Sequence, residues 1–301
     1  MALVALEKMG ASSSRLCDFR DNYVKRLEPR STVFESEITK QNWKQFLGQN
    51  KYHLEYLNYF KQSLERTDLK QVLSDHLPTL FQGVAGGAFH GLIRLGYALE
   101  TQNVEEIYQS LGYWAISFLD LGIRNQEAIT NEKSPSEIFL ALSDEFSGFR
   151  PDAPNIARRM ELIGQLESFQ SICRQIKVAD VNYQTIAPLV LTLFAQTQDF
   201  TALHAVTSTH AYRIVSRYFG DTGTSAHCLF IALAAAYVTI RAPAIRKLSL
   251  IHHSVSWQGL MDTAVNSNDD HIPKIVFTCF EEFKEHNDPL YFEAARQYAS
   301  T

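Results

Sequence analysis

The run "CLFIALAAAYVTI", Cys228–Ile240, is the longest apolar stretch in the chain. A helix that crosses a bilayer needs roughly 18 or more uninterrupted apolar residues. This run stops at thirteen and reads as the core helix of a globular protein. "MALVALEKMGASSSRL" at the N-terminus also begins apolar, but Glu7 interrupts it before a signal-type segment forms. No membrane span is expected. Four scattered cysteines (Cys17, Cys173, Cys228, Cys279) make no CxxC pair and read as reduced thiols, so the expected location is cytoplasmic.

Outward from that run the pattern stays helical. Fourteen glycines and nine prolines in 301 residues leave few turns and hence long elements. Trp43, Phe46, Leu47, Leu54, Leu57, Tyr59, Phe60 and Leu64 recur at three- and four-residue steps, with Gly48 between two helices. A short helix beyond Leu69 is expected to break at Pro78, and one from Asn103 to stop at Gly122. Ser134 or Ser136 caps the next, with Pro135 in its first turn. Asp152 or Asn155 caps a long amphipathic helix through "NIARRMELIGQLESFQSICRQI". No period-two alternation is sustained, so no sheet is expected. The expectation is an all-α protein of about a dozen helices. Residues 1–35 form an N-terminal helix and connector, and 36–301 a single helical domain.

Charge and motifs exclude much. The net charge is −5 with no basic tract, which argues against nucleic acid as a partner. There is no GxGxxG after a strand, hence no evident flavin or NAD(P) site, and GxxxxGK[ST], HExxH, GxSxG and CxxCH are missing. ExxH pairs of a di-iron bundle are also missing.

Ten histidines remain, and most such residues are satisfied core or surface groups. His90 stands out in "GGAFHGLIRLGYALE" (Gly86–Glu100), where glycines let backbone or ligand approach closely. His204 and His210 lie six apart, about 240° on an unbroken helix, so they converge only if "VTST" interrupts it. Otherwise they serve different roles. His271 and Lys274 share a helix face behind Asp269 and Asp270. Lys274 reads first as a counter-ion to one of those aspartates; deprotonated, it could take up CO₂ and bind metal as a carbamate. His252 and His253 are adjacent and face different ways. His53, His76 and His286 read as surface residues, and His227 as lying near a helix N-terminus.

Taken in order, "FLGQNKYHLEYLNYFKQSL", "GGAFHGLIRLGYALE", "LHAVTSTHAYRIV", "SVSWQGLMDTAV" and "DDHIPKIV" resemble the questin oxidase-like family. The resemblance implies a helical fold without a nucleotide-binding domain and oxygen-dependent cleavage of anthraquinone-type rings. For some relatives it implies non-haem iron held by four histidines and a carbamylated lysine, which here are His90, His204, His210, His271 and Lys274. Gly91 stands where the family usually has proline, and Pro273 between His271 and Lys274 is unusual.

On that footing the chain is read as an iron-dependent oxygenase. Its partners would be O₂ and a small aromatic or quinone-type substrate, which it cleaves or into which it inserts oxygen. Asp269, Asp270 and Thr207 would orient the ligands, and Tyr97, Tyr212 and Trp257 would wall the pocket. One alternative is a metal-free Baeyer–Villiger-type oxidase with His90 and His210 as acid–base catalysts. The other is a non-catalytic helical interaction protein.

Overall fold

The computed structural model describes residues 1–27, 34, 36–123, 132–220, 223–246, 248 and 255–300. His252 and His253 lie outside the described residues. The chain opens with α1 (Ala2–Lys8), α2 (Ser13–Val24), α3 (His53–Arg66), α4 (Leu69–Leu80) and α5 (His90–Thr101). It continues with α6 (Val104–Ile116), α7 (Pro135–Phe146), α8 (Ile156–Gly164), α9 (Glu167–Cys173) and α10 (Tyr183–Thr197). The last five are α11 (Phe200–Val215), α12 (Thr224–Thr239), α13 (Trp257–Asn266), α14 (His271–His286) and α15 (Leu290–Ala299). Among the described residues there is no strand, only two isolated bridges, and the all-α class expected from the sequence is the one observed. No helix of the described residues is long and apolar enough to cross a membrane.

The chain falls into two units. One comprises Met1–Arg30, Leu191–Gln198 and Arg246–Thr301; the other comprises Ser31–Val190 and Asp199–Ile245. In the first, α14 packs against α1, α13 and α15. Trp257 sits among Phe280, Phe283 and Phe292 at ring separations of 5.3, 5.4 and 5.0 Å. Arg15 of α2 donates through Nε to the Val265 carbonyl at 2.7 Å. The N-terminal segment is therefore more than a connector: α1 and α2 are part of a packed unit, with Ala5 and Leu6 fully buried.

In the second unit the opening apolar run is α12, buried along nearly its whole length against α7, α8 and α11. Beside it α5 packs on α6 and α11, and α3 on α6. Gly91 makes the α5–α6 approach possible, because a Cβ there would lie 2.5 Å from Trp114. Three expected boundaries differ. Pro78 does not break α4: it removes only the bond to the Ser74 carbonyl, and the helix ends two residues later. Gly122 does not stop α6, which ends at Ile116, because Leu119 donates to the Gly83 carbonyl at 3.2 Å and draws the chain away. The long helix after Asn155 divides into α8 and α9, and Gln170 Nε2 donates to the Gly164 carbonyl at 2.8 Å across the break.

Candidate active site

His90 is the first residue of α5, and what precedes it is unusual. Gly87, Ala88 and Phe89 all have positive φ (56°, 53° and 67°). Only glycine adopts this region without a steric penalty; Ala88 and Phe89 each bear a cost of about 1–2 kcal/mol. The turn brings the Gly87 carbonyl to His90, whose Nδ1–H donates to it at 2.5 Å.

Phe200 opens α11, with Asp199 as its N-cap, and places His204 one turn further along. His204 Nδ1–H donates to the Phe200 carbonyl at 2.7 Å. The two imidazoles meet, with ring centroids 4.9 Å apart at 74°, and the Phe200 ring lies 4.6 Å from His204 on another side. Since both Nδ1 atoms carry the proton, both lone pairs reside on Nε2. A cavity of about 600 Å³ runs past them, lined by Gly87, Ala88, Asp199, Thr201 and the α8 start (Asn155–Ala157) as well as by Phe200 and the two histidines. Arg150 and Arg159 complete its charged lining.

His210 does not join this pair. Thr207, Ser208 and Thr209 donate their hydroxyl protons to carbonyls three and four residues back, from Leu203 to Ala205, and α11 runs through "VTST" unbroken. The six-residue step therefore turns His210 to another face, about 9 Å further along the axis. There its Nε2 lies 4.0 Å from a Glu100 carboxylate oxygen near the end of α5. Thr207 serves the helix backbone, so it does not orient an imidazole as expected. Tyr97 and Tyr212 are buried; Tyr212 packs its ring against Phe81 at 5.9 Å, and neither lines the cavity.

His271 and Lys274 belong to the first unit. His271 opens α14 and Lys274 follows one turn later, with Pro273 tolerated in the first turn. The Lys274 ammonium donates to Asp270 Oδ2 at 2.7 Å, and His271 Nδ1 lies 3.3 Å from Asp269 and 3.6 Å from Asp270. Burial works to raise the Asp270 carboxyl, but Lys274 and His271 outweigh it and hold it below its ordinary range. Burial, then the Lys274 charge, hold His271 below its own. Asp269, Asp270 and His271 are the group of three possible metal ligands found together among the described residues.

Of the other histidines, His227 is in the first turn of α12 as expected. His76, expected at the surface, is instead buried, donating from Nδ1 to the Val72 carbonyl and accepting the Tyr59 hydroxyl at Nε2, both at 2.7 Å.

The sequence reading missed Arg150, Arg159, Asp199 and Phe200. Phe200 stands four residues before His204 and so shares its helix face, a signal that was available. Arg150 lies in a loop with no periodicity to betray it.

The questin oxidase-like family model matches residues 1–279. The chain belongs to the questin oxidase-like family. The match ends at Cys279, within α14, and so takes in the His90–His204 pair and the α14 cluster alike. Questin oxidase-like proteins are oxidoreductases of aromatic small molecules, and that coarse class applies here. No curated protein is significantly similar to the chain.

Proposed function

We propose that this chain is an oxygenase that cleaves, or inserts oxygen into, a polycyclic phenol or quinone in the cavity beside His90 and His204. The observation that supports it is the pair itself. Each imidazole is fixed by a backbone carbonyl at Nδ1, which sets the tautomer and raises the basicity of Nε2. Neutral imidazole nitrogens are donors that non-haem iron accepts, and His90 and His204 would hold it as two of its ligands. Iron bound there would supply the means of bringing O₂ to reaction with an electron-rich ring. His271 and Lys274 remain in the proposal as donors implied by the family resemblance, while His210, on another face of α11 beside Glu100, is left out of it. For Lys274 to carry a carbamate it must first give up its ammonium pairing with Asp270. The chain's own residues do the rest. Phe200 offers a flat face for the ring, and Ala88, Ile156 and Ala157 add apolar surface beside it.

A second reading is favoured by the fact that no third ligand atom joins His90 and His204 among the described residues. In it no metal acts. Nε2 of His90 or His204 takes the phenolic proton and so makes the ring electron-rich enough to react with O₂.

Elemental analysis of protein produced with added iron separates the two. About one equivalent of iron, falling at least about tenfold in His90→Ala and in His204→Ala, is the expected result. Less than about a tenth of an equivalent in the unaltered chain, with O₂ uptake that survives chelation, would replace the first reading by the second.

A further inference from the structure

Arg150 and Arg159 line the same cavity as His90 and His204, and the oxidation proposed above uses neither. Arg159, on α8, is partly buried and donates from Nε to the Ala153 carbonyl at 3.1 Å. Arg150 is exposed in the loop before α8. Among the described residues neither guanidinium forms an ion pair. Their charges act on each other: burial holds Arg159 below its ordinary range and Arg150 adds to that, while Asp199 and Asp152 oppose it. The lining's carboxylate, Asp199, is engaged as the cap of α11, accepting from the Thr201 N–H at 2.6 Å. The first turns of α8 and α11 both border the cavity, and their dipoles add to the positive potential. Two like charges near one another cost free energy that an anion between them would relieve.

We propose that the cavity's ligand carries an oxyanion, a carboxylate or a phenolate, on its aromatic frame, and that Arg150 and Arg159 bind that oxyanion. This rests on reading the cavity as the site of aromatic oxidation. The planar guanidinium fork gives paired N–H···O bonds to a carboxylate and single bonds to a phenolate. With the oxyanion on the arginines and the ring against Phe200, the frame lies beside the two imidazoles. Arg150 and Arg159 are thus specificity-determining residues.

Three probes test this on the full chain by tryptophan fluorescence titration: anthraquinone-2-carboxylate, 2-hydroxyanthraquinone at a pH where it is ionised, and neutral 2-(hydroxymethyl)anthraquinone. At least one anion should bind about tenfold tighter than the neutral probe. Arg150→Gln and Arg159→Gln should each weaken that anion about five- to tenfold and leave the neutral probe within about twofold, which also shows that the variants fold. The better anion assigns carboxylate or phenolate as the recognised group. Anions no tighter than the neutral probe, or variants that weaken all three alike, would overturn the proposal. Oxygen uptake is measured separately. An anion held through the arginines but never oxidised removes the function proposed above and leaves this inference standing.

Discussion

His76 shows how a residue's surroundings set its chemistry. It sits among Trp43, Tyr59 and Phe60, ring separations 4.8, 5.5 and 5.1 Å, with both nitrogens bonded. Burial holds its pKa below the ordinary 6.5, outweighing the opposite pull of the Val72 carbonyl and Asp75. Burial also pushes the Tyr59 hydroxyl up to about 12. The unfolded chain therefore takes a proton on His76 more readily than the folded one. The stability contributed by the neutral ring is complete above pH 6.5 and is lost as pH falls toward the folded-state value. His76→Gln keeps polar atoms at the site but cannot titrate there. Urea unfolding at stepped pH should show the wild type losing stability between pH 7 and 5 more steeply than the variant. The difference has an upper slope of about 1.4 kcal/mol per pH unit.

At the scale of elements, what the sequence revealed depended on how local the deciding physics was. The cap of α7 was legible because it lies within four residues. Ser134 accepts from the Glu137 N–H, Glu137 returns a bond to the Ser134 N–H at 2.8 Å, and Pro135 follows the cap. Ser134→Ala should cost about 1 kcal/mol in denaturant unfolding, and a change within about 0.3 kcal/mol would deny the box that role. Gly122 misled because the end of α6 is set by a bond to Gly83, nearly forty residues away in the chain. "VTST" left two outcomes open, since hydroxyls that can start a new helix can equally bond back into an existing one. In the sequence His90 and His204 are two separate candidates; the packing of α5 on α11 that joins them is tertiary. Left-handed Ala88 and Phe89 had no signal at all, because neither residue type favours that conformation.

Across the whole molecule, chain order and spatial grouping part company. The unit containing α14 draws on both ends of the chain and on the last two turns of α10. Nothing in the polar, mixed composition of the first 35 residues announced this, because the buried apolar contribution of α1 and its C-cap is concentrated in Ala5, Leu6 and Met9. Leu6 is fully buried, and Leu6→Ala should destabilise the protein by about 2–5 kcal/mol in calorimetric or urea unfolding. A loss below about 1 kcal/mol would show that α1 is dispensable to its unit.

The left-handed turn before α5 also makes the peptide backbone a listener. Any electrophile that draws on the Nε2 lone pair of His90, whether a proton donor or a cation, makes Nδ1–H a stronger donor and pulls the Gly87 carbonyl closer. A turn held in a costly conformation by that bond together with the His90 N–H bond to the same carbonyl should then breathe less often. Deuterium uptake at the amides of residues 87–90 would slow when the cavity fills, giving a measure of occupancy that needs neither turnover nor knowledge of the product.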